Sequence, residues 1–155
     1  MLKPYDQIIK LLRDSEVSYK ELNHEPVFTS EQASSIRGIS ADAGAKSLLI
    51  KAEDKFILAV LPGSARLDSS KLRKILGVKN MRFAKEDEVL EMMGCTIGAC
   101  YPFGQIFNVD MLVDHKLSQN EHIFFNPALH TKSIKISWED YKKITNPQIV
   151  DISKD

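Results

Sequence analysis

Ala45-Lys46-Ser47-Leu48-Leu49-Ile50-Lys51-Ala52, then Glu53-Asp54, then Lys55-Phe56-Ile57-Leu58-Ala59-Val60-Leu61, is the stretch on which the fold turns. Two apolar, β-leaning runs of strand length flank a two-residue acidic break, and Pro62-Gly63 closes the second. That spacing predicts a β-hairpin. Downstream, Asp68 caps a helix running to Leu76, with Gly77 at its end. Met81–Ala84 reads as a strand, and Lys85–Met93 as a helix stopped by Gly94. Gly94 to Gly104, with three Gly and one Pro in eleven residues, is a loop. Val109–Val113, Ile123–Phe125 and Ser133–Ile136 read as strands. Ser137 with Asp140 caps a last helix through Ile144, and Gln148–Ile152 closes the sheet. Upstream, Pro4–Glu16 is helical and Val17–Leu22 is a short strand. Thr29 facing Gln32 offers a capping box for a short helix that Gly38 ends. Short helices interrupt mixed strands without regular βα alternation, so the class is α+β.

Composition bounds the rest. At 155 residues and 17.5 kDa the chain fits one domain, 1–155, and its 43% hydrophobic and 27% charged residues exclude disorder and a coiled coil. Its apolar runs fall far short of the ~20 residues a membrane helix needs. The opening Met1-Leu2-Lys3-Pro4-Tyr5-Asp6 argues against a secretory signal. Two cysteines, Cys95 and Cys100, are too few for a disulfide framework, and the four His lack zinc-finger spacing. These features describe a cytoplasmic protein with no metal and no cofactor.

Lys plus Arg and Asp plus Glu stand at 21 each, so bulk charge excludes a strongly basic nucleic-acid binder but leaves room for a local basic face. Such a face is present. Arg66, Lys71, Arg73, Lys74, Lys79, Arg82 and Lys85 fall in one segment with a single acid, Asp68. It reads as a phosphate-tracking surface or as a solvated helix face. Lys46, after Gly44 and at the start of an apolar run, either snorkels or offers a point charge to an anion. The loop Gly94-Cys95-Thr96-Ile97-Gly98-Ala99-Cys100-Tyr101-Pro102-Phe103-Gly104 can converge backbone amides on an oxyanion, or simply connect a helix to the second β half. Cys100 is a small core residue or a nucleophile served by His130 or His115. No nucleophile elbow and no zinc-protease His pair is present.

In order and spacing, five segments together resemble the YbaK-type aminoacyl-tRNA deacylase family, relatives of the editing domain of prolyl-tRNA synthetases. They are His24-Glu25-Pro26-Val27-Phe28-Thr29-Ser30-Glu31-Gln32-Ala33, Ala45-Lys46-Ser47-Leu48-Leu49, Leu58-Ala59-Val60-Leu61-Pro62-Gly63, Gly98-Ala99-Cys100-Tyr101-Pro102-Phe103-Gly104 and Phe125-Asn126-Pro127. The resemblance covers nearly the whole chain. It implies a mixed, barrel-like β core with flanking short helices. It also implies hydrolysis, in trans, of the ester joining a small amino acid (Ala, Ser or Thr) to tRNA, with tRNA(Pro) as a carrier. The alternative on the same fold is a catalytically silent tRNA-binding or regulatory module.

By this resemblance Lys46 holds the phosphate or ribose of the terminal adenosine, and Gly98 positions the scissile carbonyl and the attacking water. Pro102 shapes the loop, and His130 or Asn126 lines the pocket. Ser47 and Thr29 complete the substrate-binding set, while Arg66, Lys71, Arg73 and Lys74 meet the acceptor stem. The expected partners are tRNA and an aminoacyl-tRNA synthetase, and the expected state is a monomer or weak dimer.

Overall fold

The computed structural model describes residues 2–26 and 41–155. Helix α1 (Pro4–Asp14) starts on Pro4, whose missing N–H costs nothing at that position, and buries Ile8 and Leu12, one turn apart. Strand β1 (Tyr19–Asn23) follows. The expected hairpin is β2 (Ala45–Ala52) against β3 (Lys55–Pro62), antiparallel along its whole length, with Ala45 opposite Pro62 and Ala52 opposite Lys55. Asp68 Oδ1 accepts from Lys71 N (3.1 Å) to start helix α2 (Ser69–Leu76), which ends on a left-handed Gly77. Strand β4 (Met81–Phe83) leads into helix α3 (Glu86–Met93), and Gly94 stops it at φ +68°. Strands β5 (Asp110–Asp114), β6 (His122–Phe125) and β7 (Lys132–Ser137) come next. Ser137 Oγ accepts from Asp140 N (3.1 Å) to open helix α4 (Trp138–Thr145), and β8 (Gln148–Val150) is the last strand. The helix expected from Thr29, and Thr29 itself, lie outside the described residues.

The class is α+β, as the sequence indicates, but the sheets do not close into a barrel. Among the described residues a three-stranded antiparallel sheet, β1-β7-β6, stands beside a five-stranded mixed sheet, β4-β2-β3-β5-β8. One parallel bridge, Gly44 with Phe124, joins them. The reason is visible in β3. Its Leu58 and Val60 face one core, shared with the small sheet, α1, α3, α4 and the Gly94–Gly104 loop. Its Ile57, Ala59 and Leu61 face a second core with Leu72 of α2 and Ile152. A strand buried on both faces reads as an unbroken apolar run. The larger sheet is therefore covered on each side rather than wrapped around one interior. No helix among the described residues is long and apolar enough to cross a membrane.

Candidate functional site

Successive residues of β2 point to opposite faces. Lys46 lies on the face of Leu48 and Ile50, and its Nζ donates to the carbonyl of Ala65 at 2.5 Å, beside Arg66. Ser47 faces the other core, the side of Ala45, Leu49 and the Gly94–Gly104 loop. It is 9% exposed, and its Oγ has no hydrogen-bond partner, a costly state for a buried hydroxyl.

The loop is anchored from beneath. Tyr101 Oη donates to Met93 O (2.9 Å), and Tyr141 Oη donates to Pro102 O (2.8 Å). The Phe103 ring meets Phe125 edge-on at 5.2 Å and Tyr141 at 5.6 Å. Phe125 follows Phe124, the residue that bridges to Gly44, so the start of β2 and the loop converge on β6. With the base of the loop held this way, Thr96, Ile97 and Gly98 stand exposed at its apex. Gly98 takes φ +97°, which a side chain would strain.

Below the apex, the Cys95 and Cys100 thiols are hydrogen-bonded to each other in the core. That bond, together with burial, pushes Cys95 up. The same bond and the amides of Gly98 and Cys100 bring Cys100 down. Cys100 is 8% exposed, which fits the core reading of this residue.

His130 comes to the apex from the β6–β7 turn, where its Nε2 pairs with Thr96 Oγ1 at 2.6 Å. Asn126 braces that turn from inside, its Nδ2 donating to Lys132 O (3.1 Å), with Ala128 at φ +67°. Of the residues singled out from sequence, Gly98, Pro102, Asn126 and His130 thus gather around one loop, with Ser47 on the same side. Lys46 and Arg66 sit together on the opposite side of the sheet, at the end where β2 begins.

The basic segment is less uniform than its sequence implies. Helix α2 packs Leu72 into the second core, across the sheet from the Gly98 loop. Lys71 is held by Asp151 and Asp155, each at 3.2 Å, and by Ser153 O at 2.8 Å. Arg82 pairs with Glu88 at 2.7 Å. Arg73 and Lys74 make no ion pair within the described residues.

One buried charge escaped the sequence reading. Asp114, 0% exposed, accepts from Ile152 N (2.9 Å), Ser153 Oγ (3.2 Å) and Lys116 N (3.2 Å). A charge ending the apolar run Met111–Val113 was its only signal. Asp114, His115 and Asp151 bring metal-type ligand atoms within 4.8 Å of one another. These Asp114 contacts and the Lys71–Asp151 pair already occupy the trio's carboxylates.

The model of the aminoacyl-tRNA editing domain matches residues 24–144, a span that includes Lys46, the whole Gly98 loop and His130. This chain belongs to the aminoacyl-tRNA editing domain family. The editing domain is similar to the multifunctional Ser/Thr-tRNA deacylase ProXp-y of Escherichia coli K12. The two are 29% identical over 155 residues, covering 97% of this chain and 93% of that one. YwhH of Bacillus subtilis 168, an uncharacterized protein, is 31% identical over 129 residues, covering 82% of each chain. The proline--tRNA ligase of Thermosipho melanesiensis is 32% identical over 102 residues, 65% of this chain but 18% of the ligase. Among solved structures, a candidate trans-editing enzyme for prolyl-tRNA synthetase superposes with a TM-score of 0.87 at 20% identity. That match covers 100% of this chain and 99% of the other and establishes a shared fold.

Proposed function

We propose that this protein is a trans-acting deacylase that cleaves the ester of tRNA mischarged with serine or threonine, with alanine as a further substrate and tRNA(Pro) as a carrier. The observation that carries this reading is a match running nearly end to end with a free-standing Ser/Thr-tRNA deacylase, whereas only a fifth of a ligase is shared. The site is consistent with it. An aminoacyl ester is already activated, so positioning and electrostatic stabilisation supply most of the barrier reduction. The exposed Gly98 admits the scissile carbonyl close to the backbone, and His130 beside it orients the amino-acid end. Lys46, on the other side of the sheet at the end where β2 begins, holds the terminal adenosine through its phosphate, and the free ribose hydroxyl assists the attacking water. Ser47 borders the amino-acid pocket, and Thr29 completes the substrate-binding set. The protein works in the cytoplasm on aminoacylated tRNA released by a synthetase, as a monomer or weak dimer.

The test is single-turnover deacylation of tRNA(Pro), tRNA(Ala) and tRNA(Thr) carrying Ala, Ser, Thr, Cys or Pro. Wild type should clear Ser- and Thr-charged species fastest. Lys46→Ala and Gly98→Val should each abolish turnover while melting as cooperatively as wild type, and Lys46→Arg should also be poor. Binding of charged tRNA without hydrolysis of any species would identify a silent module instead. Wild-type rates in both Lys46→Ala and Gly98→Val would remove the site.

A further inference from the structure

Next to Lys46, at the end of the sheet where β2 begins, lies a cavity of about 730 Å³. Its walls are Pro62 at the end of β3 with the Ser64–Arg66 segment after it, the 3-10 turn His115–Gln119 and the tail residues Lys154 and Asp155. The Ala65 carbonyl that holds Lys46 Nζ is part of this wall, so the cavity and the lysine share a residue. Five charged side chains line it: Arg66, Lys116 and Lys154, with Asp42 and Asp155. Both carboxylates are already engaged. Asp42 accepts from Ser64 Oγ, and Asp155 pairs with Lys71 at 3.2 Å. Among the described residues no carboxylate lies within 4 Å of Arg66, Lys116 or Lys154. With three cations against two carboxylates, the concavity keeps an excess of positive charge, and its shape focuses the attraction on an anion from outside.

The backbone keeps the three together. Lys154 N donates to Arg66 O at 2.8 Å, and Lys116 Nζ donates to Lys154 O at 3.2 Å. An ammonium carries three donors, so Lys116 has two left for a ligand. The size admits a ribose-phosphate unit or two of a single strand, not a duplex. We propose that Arg66, Lys116 and Lys154 seat a phosphodiester of the single-stranded 3′ arm of tRNA, upstream of the terminal adenosine. This rests on the deacylase reading for its ligand. It differs from a broad electrostatic face because Lys116 and Lys154, distant from the basic segment in sequence, are its main donors.

The experiment compares wild type with Lys116→Gln/Lys154→Gln on two substrates, seryl-tRNA and 3′-O-seryl-adenosine, which carries no phosphate. On seryl-tRNA the double variant should lose roughly tenfold or more in kcat/KM, chiefly through KM, with a shallower salt dependence by up to ~0.7 in log–log slope per lost contact. On seryl-adenosine it should match wild type. Lys116→Arg/Lys154→Arg should recover most of the loss. In parallel, a fluorescent single-stranded RNA ending in CCA should bind wild type and bind the Gln variant more weakly. Equal losses on both substrates, or unchanged RNA binding in the Gln variant, overturn the phosphate seat. Wild type that binds the RNA through these lysines but hydrolyses neither substrate overturns the deacylase reading alone.

Discussion

The Gly94–Gly104 loop and the tail from Gln148 to Asp155 are both poor in regular structure, yet they are held in contrasting ways. Rings grip the loop: Phe103 against Phe125 and Tyr141, Tyr101 against Phe107. Directed polar bonds grip the tail: Asp114 to Ile152 and Ser153, Lys71 to Ser153, and the Leu67–Ser153 bridge. Ring packing spreads the hold over a wide apolar area, which suits a segment whose apex stands exposed. A buried carboxylate with three donors is intolerant, because losing it strands every partner at once. That rigidity suits a segment whose Lys154 lines a cavity.

Asp114→Ala should therefore produce the largest effect. It strands three donors, at about 1–3 kcal/mol for each buried one, giving roughly 3–5 kcal/mol in all. At about 2–4 °C per kcal/mol for a chain of this size, Tm should fall by about 6–20 °C. A fall of under about 3 °C would mean that strand pairing, not the carboxylate, holds the tail. Gly94→Ala comes next, at about 1–2 kcal/mol for the left-handed backbone. Its Cβ would also stand 2.7 Å from Pro4 Cγ, so α1 must give way. Deacylation per folded molecule should survive, since Gly94 roots the loop without reaching its apex.

Tyr141→Phe should cost less, about 0.5–1.5 kcal/mol, because it deletes the bond to Pro102 O and keeps the ring. Urea unfolding of this variant beside Asp114→Asn compares one polar bond at the ring-held loop with the carboxylate at the tail. A larger loss for Tyr141→Phe would reverse the contrast. The smallest effect is acidic. Glu88, at the root of the loop in α3, is held down to about 2 by the Arg82 guanidinium and the Lys85 amide. A lowered carboxylate stabilises above its ordinary pKa, and the gain fades as pH falls toward about 2. Wild type should lose more Tm than Glu88→Gln between pH 5 and pH 2; parallel curves would show the pair to be inert.

The hairpin, both capped helices after it and the glycine stops at Gly77 and Gly94 were legible because each is set by neighbours in sequence. Strand pairing was not. Nothing local says that β5 will lie parallel between β3 and β8, or that both faces of β3 will be buried, and so the barrel expectation failed. The candidate site divides in the same way. Lys46, Gly98 and His130 stand out by residue type and by resemblance, and His130 does reach the loop apex. Lys71 looked like a free cation until Asp151 and Asp155, eighty residues on, came to meet it. Lys116 and Lys154 gave no signal, since their meaning arises only when the tail folds back.

The larger sheet ends on β4 and β8, each three residues long. A foreign strand would find only a few open amides on either side. On β4 it would also meet the charged Arg82–Glu88 pair. Such short, guarded edges discourage edge-to-edge growth between molecules. A hairpin as apolar as β2–β3 would be a severe aggregation hazard at a margin, and here it is kept in the interior of the sheet by partners too short to propagate it.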